Sequence, residues 1–139
     1  MANYLEGFNV DLFLSKSNED VGTAIDAGFA AAMLYDPPQN DSIEMTDKVR
    51  IAFDADAVLF SEESEAIYKT QGLEAFYENE RQNVNKPLQE GPFAKLLIAL
   101  SKMQKGFEPA NAPVRIAIVT ARNSPAHERV IKTLRAWDV

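Results

Sequence analysis

The stretch Phe53-Asp54-Ala55-Asp56-Ala57-Val58-Leu59-Phe60 decides the fold class of this 139-residue chain. The mostly apolar residues 49–53 predict a buried strand, which runs directly into two carboxylates separated by one small residue. In open sheets of parallel strands, ligand sites lie beyond the carboxyl ends of the strands. We therefore expect Asp54 and Asp56 to stand at such an edge, where they are available for chemistry.

Similar apolar runs outside this stretch predict strands at residues 10–14, 29–35 and 114–119. Helical patterns separate the strands. One helix begins at Ser17 or Asn18 and ends at Gly28, an amphipathic helix covers residues 93–105, and a last helix follows Pro125. Residues 36–42 form a polar connector broken by prolines. Strands that alternate with helices predict an α/β fold with a parallel sheet.

Residues 61–91 predict a small helical cap inserted after the two carboxylates. The pattern from Glu62 to Asn83 is helical but is interrupted at Gly72, which gives two short amphipathic helices. Its aromatic residues fit stacking on a nucleobase and packing between the two helices equally well; they are Tyr68, Phe76 and Tyr77. Lys86 and Arg81 either attract an anionic substrate or form solvated surface, and the second interpretation is favoured. In the helix that follows the cap, four residues are predicted to lie in the core: Leu96, Leu97, Leu100 and Met103.

The composition excludes several classes of protein. Without cysteine there are no disulfides, thiolate metal sites or cysteine nucleophiles, and the single histidine, His127, is expected on the surface of the last helix. The net charge of −7 argues against nucleic-acid binding. No apolar run approaches the roughly 20 residues that cross a membrane, and the N-terminus does not resemble a signal peptide. We therefore expect a cytoplasmic protein that folds as a single domain over residues 1–139.

A second strand end supplies the partners that the carboxylates need. Phosphoryl transfer to water through a covalent intermediate requires an oxygen nucleophile, an acid for the leaving group and groups that hold the phosphate oxygens. Asp54 and Asp56 fit the first two roles, and Thr120, after the strand 114–119, fits the third. Arg122 fits a contact to substrate and a surface position equally well. Because two carboxylates and a phosphate repel one another, Mg²⁺ is implied.

These motifs resemble those of a known family. Residues 51–58 resemble the first motif of haloacid-dehalogenase-like phosphohydrolases, and Ile118-Val119-Thr120 resembles the second. Ala55 stands where that motif usually has glycine. The fuller set of motifs is similar to the cytosolic type I 5′-nucleotidase family over about residues 49–139, and it includes Asn85-Lys86-Pro87-Leu88 and Gly91-Pro92.

The resemblance implies a Rossmann-like, haloacid-dehalogenase-type parallel sheet and Mg²⁺-dependent dephosphorylation of nucleoside 5′-monophosphates. Asp54 would form an aspartyl-phosphate, and Asp56 would protonate the leaving nucleoside and then activate water. Thr120 would hold a phosphate oxygen through its hydroxyl, with the Ala121 amide beside it, and Arg122 remains a candidate substrate contact on its sequence position alone. Mg²⁺ would bind the Asp54 carboxylate and the Asp56 carbonyl.

The resemblance also implies that the chain joins the end of a degenerate half, in residues 1–48, to the start of a catalytic half, in residues 49–139. All seven excess negative charges fall in residues 1–48. We expect the lysine and the acidic pair that follow the second motif in this family to be missing from these 139 residues. The expected sheet is circularly permuted, with four strands in the order 29–35, 10–14, 49–53, 114–119.

Two expectations follow from the missing elements. Lys16, at the end of a predicted strand, would partly replace the absent lysine, with Glu19 or Asp20 near the metal. The alternative to an active phosphohydrolase is a catalytically incomplete module that folds, associates as a homodimer through uncovered strand edges, and binds phosphate or Mg²⁺ only weakly.

Overall fold

A computed structural model describes residues 2–36 and 47–139, and it shows a mixed α/β architecture. Residues 37–42 of the predicted connector lie outside the described residues. A wide irregular turn, Ala55–Leu59, separates the strand that ends at Asp54 from the long helix that begins at Glu63. The elements in chain order are α1 (Ala2–Gly7), β1 (Phe13–Ser15), α2 (Asn18–Asp26), β2 (Ala31–Met33), β3 (Val49–Asp54), α3 (Glu63–Gln82), α4 (Ala94–Lys105), β4 (Val114–Val119) and α5 (Ala126–Ala136).

The four strands form two separate parallel pairs. β1 pairs with β2, and β3 pairs with β4 in a register that sets Val49 opposite Val114 and Asp54 opposite Val119. The prediction of parallel strands in an α/β fold is therefore confirmed. The predicted continuous sheet is not formed among the described residues, because no ladder joins β1 to β3.

The end of α1 explains why the predicted strand 10–14 is too short to extend the sheet. Asn9 adopts a left-handed conformation with φ 51°, and the amides of Asn9 and Val10 donate to the carbonyls of Glu6 and Leu5, both at 3.0 Å. This pair of bonds is the Schellman pattern that closes a helix. Val10 therefore belongs to the helix terminus, and only three residues from Phe13 onward remain to pair.

A cleft of about 490 Å³ lies at the start of β1 and β2. Its walls come from the two loops that precede these strands and from the beginning of α4, including Asn9, Gly28 and Lys95. None of the predicted site residues lines it. The N-terminal strand pair thus meets the rest of the described chain across an open space rather than through strand pairing.

The predicted limits of α2 are confirmed by its caps. The Ser17 hydroxyl accepts a hydrogen bond from the Asp20 amide at 3.2 Å, which satisfies one unpaired amide of the first turn. At the other end Gly28 has φ +85°, and its amide donates to Ile25 at 2.8 Å. Glycine suits this position because it has no Cβ to clash in the left-handed region.

The cap helix α3 is two helices joined at Gly72, as predicted. Gly72 has φ +86° and ψ −179°, so the backbone leaves the helical region at this one residue. The first segment carries Tyr68, and the second carries Phe76, Tyr77 and Glu80. None of the helices in residues 2–36 and 47–139 is long and apolar enough to cross a membrane.

The buried apolar side chains form two clusters. The larger lies between β3, the turn, α4 and α5, with Trp137 packed 5.4 Å from Phe60 between ring centroids. The smaller lies between α1, α2 and the N-terminal strands. The predicted core stripe of α4 is correct at Leu97, with Leu96 and Leu100 packed against the larger cluster, but Met103 is 54% exposed because it lies near the end of the helix. The larger cluster has Phe53, Ala55, Leu59, Phe60, Leu88, Leu97 and Val130 at its centre, and the smaller has Leu5, Val21, Ala24 and Ala31.

Candidate functional site

The parallel pairing of β3 and β4 brings their carboxyl ends to one edge. Asp54 is the last residue of β3 and lies opposite Val119, so Asp56 and Thr120 both follow directly from this paired end. Asp54 is exposed, whereas Phe53 immediately before it is 5% exposed and anchors the strand in the core. The alternation of buried and exposed side chains along the strand directs the Asp54 carboxylate to solvent.

The turn after β3 aims Asp56 differently from Asp54. Asp56 keeps an extended backbone, Ala57 adopts φ 59°, and the Phe60 amide closes the turn on the Ala55 carbonyl at 3.1 Å. Ala55 is fully buried, which explains why a small residue separates the two carboxylates. The turn leaves the Asp56 side chain 29% exposed and faces it toward the loop after β4.

A returning loop braces this turn from outside. The Ser61 amide donates to Gln89 at 2.9 Å, and the Gly91 amide donates to Leu59 at 2.8 Å. A Cβ at Gly91 would lie 2.6 Å from the carbonyl oxygens of Val58 and Phe60, so only glycine allows this approach. The Gly91-Pro92 motif therefore fixes the turn that carries Asp56.

Asp56, Thr120 and Arg122 form one hydrogen-bonded group. The Thr120 hydroxyl donates to one carboxylate oxygen of Asp56 at 3.2 Å and accepts from the Arg122 amide at 3.1 Å. The Arg122 Nε donates to the other carboxylate oxygen at 2.6 Å. Two strand ends that are far apart in sequence are thereby joined through a single carboxylate.

Arg122 continues from Asp56 into a buried ionic network. Its Nη1 donates to Glu80 at 2.9 Å, and Arg129 of α5 donates to the other Glu80 oxygen at 2.9 Å. The side chains of Glu80, Arg122 and Arg129 are 0%, 4% and 5% exposed. The Ser64 hydroxyl adds a further bond to Glu80 at 2.7 Å. Such burial is tolerated because each charge is paired and hydrogen-bonded.

Sequence reasoning missed Glu80 and Arg129, although a signal was present. Glu80 follows Phe76 and Tyr77 by four and three residues, which puts it on the aromatic side of the helix. Arg129 lies beside Val130 on the apolar side of α5. A charged residue on an apolar helix face indicates a buried partner, and here the two charges are partners of each other.

A cavity of about 450 Å³ opens beside Asp56, between the cap helix and the loop after β4. Arg122 and Asn123 contribute from the loop, and the Arg122 guanidinium lies 5.4 Å from the centre of the Phe76 ring. The cap side is formed by Glu65, Tyr68, Leu73, Phe76 and Tyr77.

Comparison with known proteins identifies the family. A family model for 5′-nucleotidase matches residues 1–139. The chain belongs to the 5′-nucleotidase family. It is 38% identical to human cytosolic 5′-nucleotidase 1B in an alignment of 139 residues that covers 96% of this chain and 23% of the human protein. The chain therefore spans about a quarter of the length of this relative, and no solved structure matches it.

Within the described residues, the structure brings together three of the predicted site residues, Asp56, Thr120 and Arg122. Asp54 and Ala121 are exposed at the same edge. Lys16 lies instead at the end of β1, where its ammonium contacts Asp36 at 2.7 Å with both side chains mostly exposed. The structure thus joins Lys16 to the N-terminal strand pair and not to the Asp56 group.

The oxygen donors for a metal ion are few. Within residues 2–36 and 47–139, no group of three or more acidic or histidine side chains converges. The Asp54 carboxylate and the Asp56 carbonyl are the hard oxygen ligands that Mg²⁺ prefers, and Mg²⁺ commonly keeps several waters and takes substrate phosphate as a further ligand. The oxygen donors that the resemblance assigns to Mg²⁺ are therefore of the chemical type that this ion binds.

Proposed function

We propose that this chain carries part of the active site of a 5′-nucleotidase that hydrolyses nucleoside 5′-monophosphates to nucleosides and inorganic phosphate. Family membership supports the reaction at this coarse level. The observation that carries the proposal is the grouping of Asp54, Asp56 and Thr120 at the carboxyl ends of β3 and β4. We also propose a haloacid-dehalogenase-type core, because the site residues follow the ends of parallel strands. We propose a cytoplasmic location because the human relative is named as cytosolic.

The reaction assigns one step to each carboxyl group. An Asp54 oxygen attacks phosphorus, the bond from phosphorus to the 5′ oxygen breaks, and that oxygen takes the Asp56 proton as the nucleoside leaves. Water then attacks the aspartyl-phosphate and gives its proton to Asp56, which releases phosphate and restores both carboxyl groups. The exposure of Asp54 suits an attacking group, and the partial burial of Asp56 suits an acid and base protected from bulk water.

The residues after β4 bind the transferred group. Thr120 exchanges its Asp56 acceptor for a phosphate oxygen when the nucleotide enters, and the exposed Ala121 amide donates beside it. The Asp54 carboxylate and the Asp56 carbonyl would hold Mg²⁺, and the bound ion would neutralise phosphate charge. Arg122 stays buried and hydrogen-bonded to Asp56 and Glu80, and it thereby holds the Asp56 side chain in place.

Phosphate release from a panel of nucleoside monophosphates with Mg²⁺ tests the proposal. The wild type should release phosphate, and Asp54→Asn should reduce the rate to background because an amide is a poor nucleophile. Asp26→Asn, at the exposed end of α2, is the matched control and should retain activity. Release that survives Asp54→Asn would refute the nucleophile assignment.

A catalytically incomplete module is the second candidate. It is favoured by the lack of a cluster of three or more acidic or histidine side chains within residues 2–36 and 47–139, and by the contact of Lys16 with Asp36. A wild-type chain that binds phosphate or Mg²⁺ weakly in calorimetry, without releasing phosphate, would select it. We propose a homodimer in either case, since Phe8 and Tyr35, both within residues 2–36, are 79% and 82% exposed. Sedimentation equilibrium measures this association directly.

A further inference from the structure

A line of paired charges connects Asp56 to the cap helix. The Arg122 Nε donates to Asp56 Oδ1 at 2.6 Å, and the Arg122 Nη1 donates to Glu80 Oε2 at 2.9 Å. Replacing a buried ion pair with apolar residues of similar volume is often neutral or stabilising. Stability alone therefore gives little reason to bury a line of charges that ends at the carboxyl group proposed as acid and base.

The two carboxyl oxygens of Asp56 are held by different donors. The Thr120 hydroxyl donates to Oδ2 at 3.2 Å, while Arg122 holds Oδ1. Under the proposed function, the Thr120 hydroxyl turns to a phosphate oxygen when the nucleotide enters, which frees Oδ2 to carry the proton for the leaving 5′ oxygen. Of these two donors, Arg122 alone then stays on the carboxyl group while it has to be aligned for proton transfer.

The position of Arg122 depends in turn on Glu80. A guanidinium is planar and rigid, so a bond that fixes Nη1 also fixes the direction in which Nε points. The Phe76 ring, 5.4 Å from the guanidinium carbon, attracts the cation without a directional bond. The other oxygen of Glu80 accepts from Arg129 at 2.9 Å and from Ser64 at 2.7 Å, so Glu80 is a fixed point for the Arg122 side chain.

We propose that Glu80 is a positioning residue for Asp56 and that it acts through Arg122. The inference rests on the proposed function, which gives Asp56 its role as acid and base. Glu80 keeps the carboxyl group aligned with the leaving oxygen, and an error of about 1 Å in such an alignment can cost ~100-fold in rate. Because Glu80 belongs to the cap helix and Asp56 to the turn after β3, the acid is aligned only while the cap is in place.

A comparison of two leaving groups separates positioning from a structural role. The 5′ oxygen of a nucleoside leaves as a basic alkoxide and needs a proton from Asp56, whereas p-nitrophenolate leaves without one. In single-turnover experiments, which isolate this first step, we expect Glu80→Gln to slow the release of adenosine from adenosine 5′-monophosphate by at least ~10-fold. The release of p-nitrophenol from p-nitrophenyl phosphate should change little. A variant that only loosens the fold would slow both reactions by the same factor.

Two further variants complete the experiment. Glu78→Gln is the matched control, because it removes the same charge from an exposed position on the same helix, and it should slow neither reaction. Glu80→Asp keeps the buried charge but shortens the side chain, so it should show the same selective loss and decides the question if Glu80→Gln does not fold. Equal slowing of both substrates by a folded variant, or loss of the folded circular dichroism spectrum in both Glu80 variants, would overturn the proposal.

A measurement that needs no turnover keeps this proposal separate from the proposed function. In protein isotope-labelled at the aspartate carboxyl carbons, the Asp56 resonance is identified by its absence in Asp56→Asn. It should move in Glu80→Asp and stay in place in Glu78→Gln. A moved resonance in a wild-type chain that releases neither leaving group would support the positioning role and count against the hydrolase proposal. An unmoved resonance would overturn the positioning role even if phosphate release depends on Asp54.

Discussion

Replacing Glu80 with glutamine should destabilise the protein far more than an ordinary change on the same helix. The carboxylate accepts from Arg122 and Arg129, both at 2.9 Å, and is fully buried. Glutamine removes the charge and turns one acceptor into an NH₂ group that faces an arginine donor. Removing one partner of a buried ion pair costs about 3–5 kcal/mol. In the variant, Arg122 would still bond to Asp56, and Arg129 would still bond to the Lys86 carbonyl. We therefore expect the free energy of unfolding to fall by ~3 kcal/mol, the lower end of that range.

Urea unfolding followed by circular dichroism measures this loss. With a denaturant slope of about 1–3 kcal/mol/M for a small protein, the midpoint should fall by roughly 1–3 M. Glu78→Gln is the matched control, because Glu78 lies on the same helix and its pair with Arg81 is exposed and worth roughly 0–1 kcal/mol. An unfolding free energy for Glu80→Gln equal to that of Glu78→Gln would refute the argument that the buried network anchors the cap.

Two further predictions concern the backbone and the pH dependence of stability. Gly91→Ala should lower the free energy of unfolding by ~1–3 kcal/mol, because the added Cβ would lie 2.6 Å from backbone oxygens. Gly22→Ala is the control: this helical position has open space around it, so the free energy of unfolding should rise by roughly 0.5–1 kcal/mol in the same urea experiment. The hydrogen bond and charge of Lys105 hold the pKa of Asp138 below its usual value. The pair therefore stabilises the folded state fully at pH values above the pKa that Asp138 has in the unfolded chain. This stabilisation is lost as the pH falls through the lower pKa that Asp138 has in the folded chain. Asp138→Asn should therefore flatten the acidic limb of a stability-against-pH profile, and an unchanged limb would contradict the assignment.

Local signals in the sequence predicted the ends of elements well. Gly28 and Gly72 mark helix boundaries because the left-handed conformation they adopt favours glycine, and that preference is readable without a structure. Asn9 plays the same role at the end of α1, but asparagine is also common in ordinary loops, so residues 10–14 looked like a full strand. The resulting three-residue strand is a consequence of a helix terminus rather than of strand propensity.

Contacts between distant segments were only partly predictable. Ligand sites lie beyond the carboxyl ends of parallel strands, which indicated that Asp56 and Thr120 would lie at one edge of the sheet. Their contact at 3.2 Å agrees with that placement. The order of four strands required a pairing of β1 with β3 for which no local pattern exists. Arg122 fitted two interpretations from sequence, and its 4% exposure is explained by Glu80, which lies 42 residues earlier in the chain. Partners of this kind become visible only when the helices are packed.

The division of the buried side chains into two clusters has a consequence for how the molecule opens. The smaller cluster has four buried apolar residues beside the three-residue ladder of β1 and β2. The larger cluster has seven buried residues at its centre beside the six-residue ladder of β3 and β4. Regions with fewer buried contacts exchange their amide hydrogens through cheaper, partial openings. The amides of β1 and β2 can thus exchange with solvent while β3, β4 and the carboxylate turn remain protected. Local opening of the N-terminal strand pair therefore leaves the geometry around Asp54 and Asp56 unchanged.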